Sequence, residues 1–206
     1  MKIFTLRLGQ MANCIYIVEK EKQGVIIDPS WNMNSIYKTL EANQITPKAV
    51  LFTHGHYDHV TNAQDLLETY KINGYIGKED IELSQLPKQF LNPLEGDCCL
   101  DIAGMKIEFI HTPGHTKGSY CIKIKDILFS GDTLFKGAVG RTDFPGGSSR
   151  ELQKSLLRLS KLPKETKVYC GHAYTYSSKT TIEEELKTNP YMQMAVKEPE
   201  TFGEIL

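Results

Sequence analysis

The stretch Thr53-His54-Gly55-His56-Tyr57-Asp58-His59 gathers three of the chain's six histidines and a carboxylate. Imidazole nitrogens and carboxylate oxygens are the donors that zinc, iron and manganese accept. His54 and His56 are two apart, so in extended backbone their side chains leave on the same face. Asp58 and His59 then come from the turn or the start of the next helix and point elsewhere. One cation would hardly use all four, whereas two adjacent cations would. A lone histidine at a strand end is ordinarily solvated or satisfied in the core, so the reading depends on what the rest of the chain adds. His115 closes His111-Thr112-Pro113-Gly114-His115 after the strand-like Met105 to Ile110, and His172 follows Lys167-Val168-Tyr169-Cys170-Gly171. Asp132 follows Ile127-Leu128-Phe129-Ser130-Gly131 in the same manner. Metal-ligand types thus recur at four expected strand ends.

Catalytic zinc-type centres take about three protein ligands per ion and leave a position open for water. His54, His56 and His115 could hold one ion, and Asp58, His59 and His172 the other. Asp132 would bridge them, because a carboxylate offers two oxygens and an imidazole one coordinating nitrogen at a time. A pair of such ions shares a hydroxide and clamps the attacking and leaving atoms of a displacement. His111, four residues before His115, reads as a supporting or turn-stabilising residue rather than a further ligand.

The elements that must position these residues are short strands alternating with helices. Ala49-Val50-Leu51-Phe52 has no helical period and reads as a buried strand of an α/β layer, delivering the histidine cluster to the sheet's carboxyl edge. Lys2 to Leu8, Cys14 to Val18 and Val25 to Asp28 read as a meander, with polar Glu19 to Gly24 as a turn. Asn34 to Ala42 and Asn62 to Tyr70 have helical spacing. Cys98 to Ile102 and Met105 to Ile110 form a hairpin around Ala103-Gly104, and Gly118 to Ile124 pairs with Asp126 to Phe129. Ser149 to Leu159 is amphipathic, with Leu152, Leu156 and Leu159 on one stripe and Ser148 or Ser149 as its cap. A helix near Thr181 to Lys187 stops at Asn189-Pro190, and Lys197-Glu198-Pro199-Glu200 reads as a solvated tail.

Composition excludes several classes. The 206 residues suffice for one large domain with a sizeable core, spanning 1–206. With 24 basic and 25 acidic residues and net charge −1, no electrostatic footprint for nucleic acid or an anionic membrane is visible. The opening Met1 to Gln10 is charged and alternating, unlike a signal sequence, and apolar runs stay far below the ~20 residues of a membrane helix. Cys14, Cys98, Cys99, Cys121 and Cys170 form no CxxC pair and leave an odd count, consistent with a reduced, cytoplasmic chain of structural thiols.

The pattern His54-x-His56-x-Asp58-His59, then His115, Asp132 and His172, resembles the metallo-β-lactamase-fold hydrolases, and within them the glyoxalase II-like (hydroxyacylglutathione hydrolase-like) branch. The phrases His111-Thr112-Pro113-Gly114-His115-Thr116, Ser130-Gly131-Asp132-Thr133-Leu134-Phe135 and Tyr169-Cys170-Gly171-His172 carry the same likeness. The resemblance runs from about Asn13 to His172. It implies a four-layer αββα sandwich of two mixed sheets flanked by helices, and two divalent transition-metal ions, zinc foremost, with iron or manganese as alternatives. The implied reaction is hydrolysis of a small thioester: a hydroxide bridging the ions attacks the carbonyl, and Asp58 orients its proton. Arg141 matches the family's carboxylate-binding cation, although it could equally form an ion pair with Asp143. Tyr174 matches a tyrosine that contacts the substrate. Asp28 resembles a carboxylate that supports the ligands, or it caps a turn. The family's C-terminal helical glutathione domain is not expected in the residues after His172, which sets glutathione itself in question. Gly140-Arg141-Thr142-Asp143-Phe144 also resembles the persulfide dioxygenases, which hold one iron on two histidines and an aspartate. A non-catalytic metal-binding protein is the third reading.

Overall fold

Residues of alternating side on each strand decide how the layers stack. In the strand Asn13–Lys20, Cys14, Tyr16 and Val18 face one hydrophobic cluster, and Ile15 and Ile17 face another. A strand apolar on both faces needs partners on both, so the sheet is covered twice. The computed structural model describes residues 1–174, 177–197 and 202.

The first sheet contains β1 (Lys2–Leu8), β2 (Asn13–Lys20), β3 (Gln23–Ile27), β4 (Thr46–Leu51), β5 (Asn73–Gly77) and β6 (Leu91–Leu94) in that spatial order. Its first three strands pair antiparallel and the remainder parallel. The second sheet begins with β7 (Cys98–Ile102), β8 (Met105–His111), β9 (Tyr120–Ile124) and β10 (Ile127–Gly131), all antiparallel neighbours. A two-stranded ribbon, β11 (Leu134–Phe135) and β12 (Ala138–Val139), leaves that sheet. The chain then returns as β13 (Lys167–Cys170), parallel to β10, and β14 (Lys179–Thr181) at the edge.

The inner cluster lies between the sheets and joins Tyr16, Ile27 and Leu51 to Phe109, Ile122 and Phe129. Helices α1 (Met33–Asn43), α2 (Tyr57–Val60), α3 (Ala63–Tyr70) and α4 (Ile81–Ser84) follow strands of the first sheet, and α1 and α3 cover its outer face through Ile36, Leu40, Leu66 and Leu67. Asn32 caps α1 by accepting from Ser35 N at 3.2 Å. On the far side, α5 (Ser149–Leu159), α6 (Ile182–Thr188) and α7 (Pro190–Lys197) cover the second sheet, with Leu152, Leu156, Ile182 and Met192 fully buried. The four expected layers are therefore present, two mixed sheets with helices outside.

Some element boundaries differ from expectation. Of the predicted caps for α5, Ser148 is the one used, accepting from Glu151 N. Asn189-Pro190 ends α6 and also starts α7, because Asn189 Oδ1 accepts from the amides of Tyr191 and Met192 while proline tolerates the first helical position. Strand β9 begins at Tyr120, since Gly118 and Ser119 turn away to meet Asp80 and Thr112. The short strands β5, β6 and β14 carry no alternating pattern of their own and owe their pairing to neighbours. Of the expected tail, Lys197 closes α7, and 198–200 lie outside the described residues. All five cysteines are free thiols, three of them buried, and burial pushes Cys121 to about 11 and Cys170 to about 12. Among the described residues no helix is long and apolar enough to cross a membrane.

Candidate metal centre

Parallel running brings the clusters together. Strands β8, β10 and β13 share one direction because β9 is antiparallel to both β8 and β10, and β13 is parallel to β10. Their carboxyl ends release His115, Asp132 and His172 on one edge, and the end of β4 brings the His54 to His59 segment to meet them. Asn13 and His172 form a bridge between the two sheets at this edge. Asp58 and His59 lie in α2, which begins directly after the extended His56, so the change from extended to helical backbone separates the two pairs as their spacing suggested.

The donor atoms fall into overlapping groups. His54, His56 and His115 converge, as do Asp58, His59 and His172, and a third group joins His54 and His59 to Asp132, with the atoms of each group within 4.8 Å of one another. Asp132 Oδ2 is 3.3 Å from His172 Nε2 and 3.6 Å from His115 Nε2, and its Oδ1 is 3.3 Å from His59 Nε2. It thus lies between the two sets.

Bonds on the outer side of each ring decide which nitrogen faces the centre. His115 Nδ1–H donates to the Arg141 carbonyl at 2.7 Å, and His172 Nδ1–H to the Met11 carbonyl at 2.8 Å. His59 Nδ1–H donates to Asp28 Oδ2 at 2.9 Å. Thr53 Oγ1 donates its one proton to Asp28 Oδ2, so it accepts from His54 Nδ1–H. These four rings therefore aim Nε2 inward, whereas His56 turns Nδ1 toward His115. The inward atoms crowd: His56 Nδ1 is 2.9 Å from His115 Nε2, and His59 Nε2 is 3.1 Å from His172 Nε2. His59 and His172, as neutral rings each with its proton on Nδ1, would oppose lone pair to lone pair, and a proton or a cation relieves this. His54 Nε2 and Asp132 Oδ1 are buried with no hydrogen-bond partner, a costly arrangement for polar atoms unless an ion takes them. The residues present therefore fit divalent metals.

Protonation in the metal-free chain divides along the same line. Burial, with His59 nearby, holds His54 well below the ordinary imidazole value, and burial with His115 lowers His56. For His59 burial also opposes the charge, but the carboxylates of Asp132 and Asp28 outweigh it and raise the ring well above normal. His172 is lifted to about 9 by Asp132 and Asp58 against its own burial. Burial alone would raise both carboxylates; instead His172, His59 and Asn13 hold Asp58 at about 2, and His59 and His172 hold Asp132 well below its usual range.

A cleft of about 510 Å³ opens onto the centre. Met11, Tyr57, Phe144 and Tyr174, all exposed, stand at its rim, with Phe135 and Val139 along the wall. Arg141 and Tyr174 both line it. The Arg141 guanidinium forms a bidentate ion pair with Asp143 and stacks 4.2 Å from the Phe144 ring centroid, while its backbone carbonyl orients His115. Tyr174 stacks on His172 at 4.9 Å between ring centroids. His111 lies apart from the three donor groups and ties its loop by bonding the Lys117 carbonyl at 2.9 Å.

Two supporting residues had no motif to betray them. Asn13 donates to Asp58 Oδ2 at 2.8 Å and to the Asp58 carbonyl at 2.9 Å, and its own oxygen accepts from Trp31 Nε1. Asp80, buried, accepts from the loops on either side of the first histidine set.

Comparison with known proteins agrees with this geometry. Residues 8–97 and 99–172 match the profile of the metallo-beta-lactamase superfamily. The chain is 34% identical to a hydroxyacylglutathione hydrolase of Prochlorococcus marinus, covering 91% of this chain and 76% of that one. It is also 34% identical to BaeB, a probable polyketide biosynthesis zinc-dependent hydrolase of Bacillus velezensis, over 90% of this chain and 83% of that one. The crystal structure of ETHE1 from Myxococcus xanthus superposes with a TM-score of 0.89 at 29% identity, covering 100% of this chain and 89% of the other.

Proposed function

Since the chain belongs to the metallo-beta-lactamase superfamily, whose members are mostly metal-dependent hydrolases, we propose that it hydrolyses a small thioester with two divalent transition-metal ions. The observation that carries the reading is the convergence of imidazole and carboxylate donors around Asp132, with His54 Nε2 and Asp132 Oδ1 buried and unpartnered. His54, His56 and His115 would hold one ion, Asp58, His59 and His172 the other, and Asp132 would serve both. Zinc suits this mixed nitrogen and oxygen set, as do iron and manganese. When bound, such ions polarise a carbonyl oxygen and bring the pKa of water toward ~7.

The chain's own groups then do the rest. Asp58, ionised across the neutral range and fixed by Asn13, orients the proton of the attacking water. Asp28 and Thr53 keep His59 and His54 in the tautomers that face inward. The apolar walls of the cleft exclude bulk water from the thioester, which strengthens each charge interaction inside. Arg141 and Tyr174 contact the substrate at the rim, Arg141 exchanging Asp143 for an anionic end of the substrate.

A second reading, persulfide oxidation at one iron, rests on His115 Nε2, which stands 2.9 Å from His56 Nδ1 and 3.6 Å from Asp132 Oδ2. The convergence of Asp58, His59 and His172 as a second donor group supports the hydrolytic reading over it. Elemental analysis of the purified protein beside a panel of thioester, lactam and persulfide substrates tests both. Release of one thiol per acid without oxygen uptake is expected; oxygen consumption with glutathione persulfide and no thioester cleavage would transfer the case to the dioxygenase.

A further inference from the structure

We infer that Asp80 is a positioning residue for one metal set alone, clamping the loops that carry His54, His56 and His115. The inference rests on the two-ion reading above. Asp80 is 1% exposed and sits at the start of α4, away from the donor groups. Its Oδ2 accepts from Gly55 N at 2.9 Å and from Thr116 Oγ1 at 2.6 Å, and its Oδ1 accepts from Gly118 N at 2.9 Å. Gly55 is the residue between His54 and His56, and Thr116 directly follows His115. One carboxylate therefore joins the loop from the first sheet to the loop from the second, each bond landing beside a ligand of the same set.

The glycines are the cost of so close an approach. A Cβ on Gly55 would come within 2.6 Å of the Asp80 carbonyl oxygen, and one on Gly118 within 2.6 Å of Asp80 Cγ. Ser119 completes the clamp: its hydroxyl contacts Thr116 Oγ1 at 2.7 Å and accepts from Thr116 N at 3.1 Å. Thr116 has only one hydroxyl proton, and the carboxylate takes it, so Ser119 donates to Thr116. The chain of bonds Ser119 to Thr116 to Asp80 thus has a single direction. The other set has braces of its own, Asp58 by Asn13, His172 by the Met11 carbonyl and His59 by Asp28, which also reaches His54 through Thr53. Among the described residues the Asp80 carboxylate bonds Gly55, Thr116 and Gly118 and none of these.

The test is site-resolved zinc and cobalt(II) titration against a chromophoric chelator, on the full chain. Asp80→Asn turns one acceptor into a donor facing an amide N–H or the Thr116 hydroxyl. It should weaken the ion on His54, His56 and His115 by roughly 10- to 100-fold, the usual effect of losing an outer-shell partner. The ion on Asp58, His59 and His172 should hold within about threefold. Thr116→Val should weaken the same ion, and Thr116→Ser, which retains the hydroxyl, should restore it, so the inference is still judged if Asp80→Asn fails to fold. Histidine-ring 15N shifts identify which imidazoles let go. Equal weakening of both ions, or lowered thermal stability with both affinities unchanged, overturns the assignment. A wild-type chain that takes one ion overturns the two-ion reading while leaving Asp80 to be judged on that ion's imidazoles; no uptake at all overturns both.

Discussion

Loading the metal-free chain at pH 7 is expected to release between about one and two protons, almost all on filling the Asp58, His59 and His172 set. His59 lies well above the ordinary imidazole value and His172 near 9, so the metal-free pair carries charge at neutral pH. Their Nε2 atoms are 3.1 Å apart, so the two rings titrate as one pair and hold at least one proton between them. Asp58 and Asp132 are already ionised, and His54 and His56, both lowered, are already neutral, so none of these has a proton to give up. The sign follows. A proton must leave before the metal enters, so affinity falls as the pH is lowered, by about tenfold per unit for each proton displaced. Between pH 7 and 6 this set should therefore weaken by roughly 10- to 100-fold, more steeply than the other. As pH rises through about 9, His172 loses its proton beforehand and the released count drops. Calorimetric titrations in Hepes and Tris count the protons from the dependence of heat on buffer ionisation enthalpy. No release at pH 7, or release confined to the first set, would refute the protonation argument.

Asp132→Ala should loosen both ions, because its oxygens reach both sets, whereas His172→Ala should chiefly weaken one; stoichiometry after dialysis separates them, and loss of a single ion in both variants contradicts the bridging role. Arg141→Ala should raise KM for a carboxylate-bearing thioester by roughly three- to a hundredfold with little change for a neutral one, and Asp143→Asn, by freeing the guanidinium, should lower it. Steady-state kinetics on the two substrates decide this, and equal losses on both would make Arg141 a structural partner instead. In the outer core, Leu156→Ala should destabilise the chain by about 2–5 kcal/mol in denaturant titration, because the fully buried side chain leaves a cavity between α5 and the second sheet.

Much of the site was legible because ligand chemistry is local. A histidine is a candidate wherever it stands, and His54-Gly55-His56 and Asp58-His59 showed by spacing alone that they serve different directions. Strand ends are legible for a similar reason: Ile127 to Phe129 is apolar, and Ser130-Gly131 then leads to Asp132. The strong amphipathic stripe of α5 needed nothing beyond its own period. Hidden from such reading were β5 and β6, since Asn73-Gly77 and Leu91-Leu94, with its Pro93, are extended by parallel neighbours rather than by pattern. Arg141 was left between two readings. Its pairing with Asp143 and Phe144 shows how it rests without a ligand, and its place in the cleft keeps it within reach of one.

From sequence came the candidate ligand types and their order, each written within a few residues of itself, and, through the family resemblance, the layered architecture. Tertiary structure alone decided which imidazole nitrogen faces inward. That choice belongs to carbonyls and carboxylates distant in the chain, Met11 for His172 and Asp28 for His59. It also brought Asp80 to both histidine loops and Asn13 to Asp58. Such residues carry no pattern, because a hydrogen bond across many residues of intervening chain depends on where two backbones come to lie, and only the packed sheets determine that.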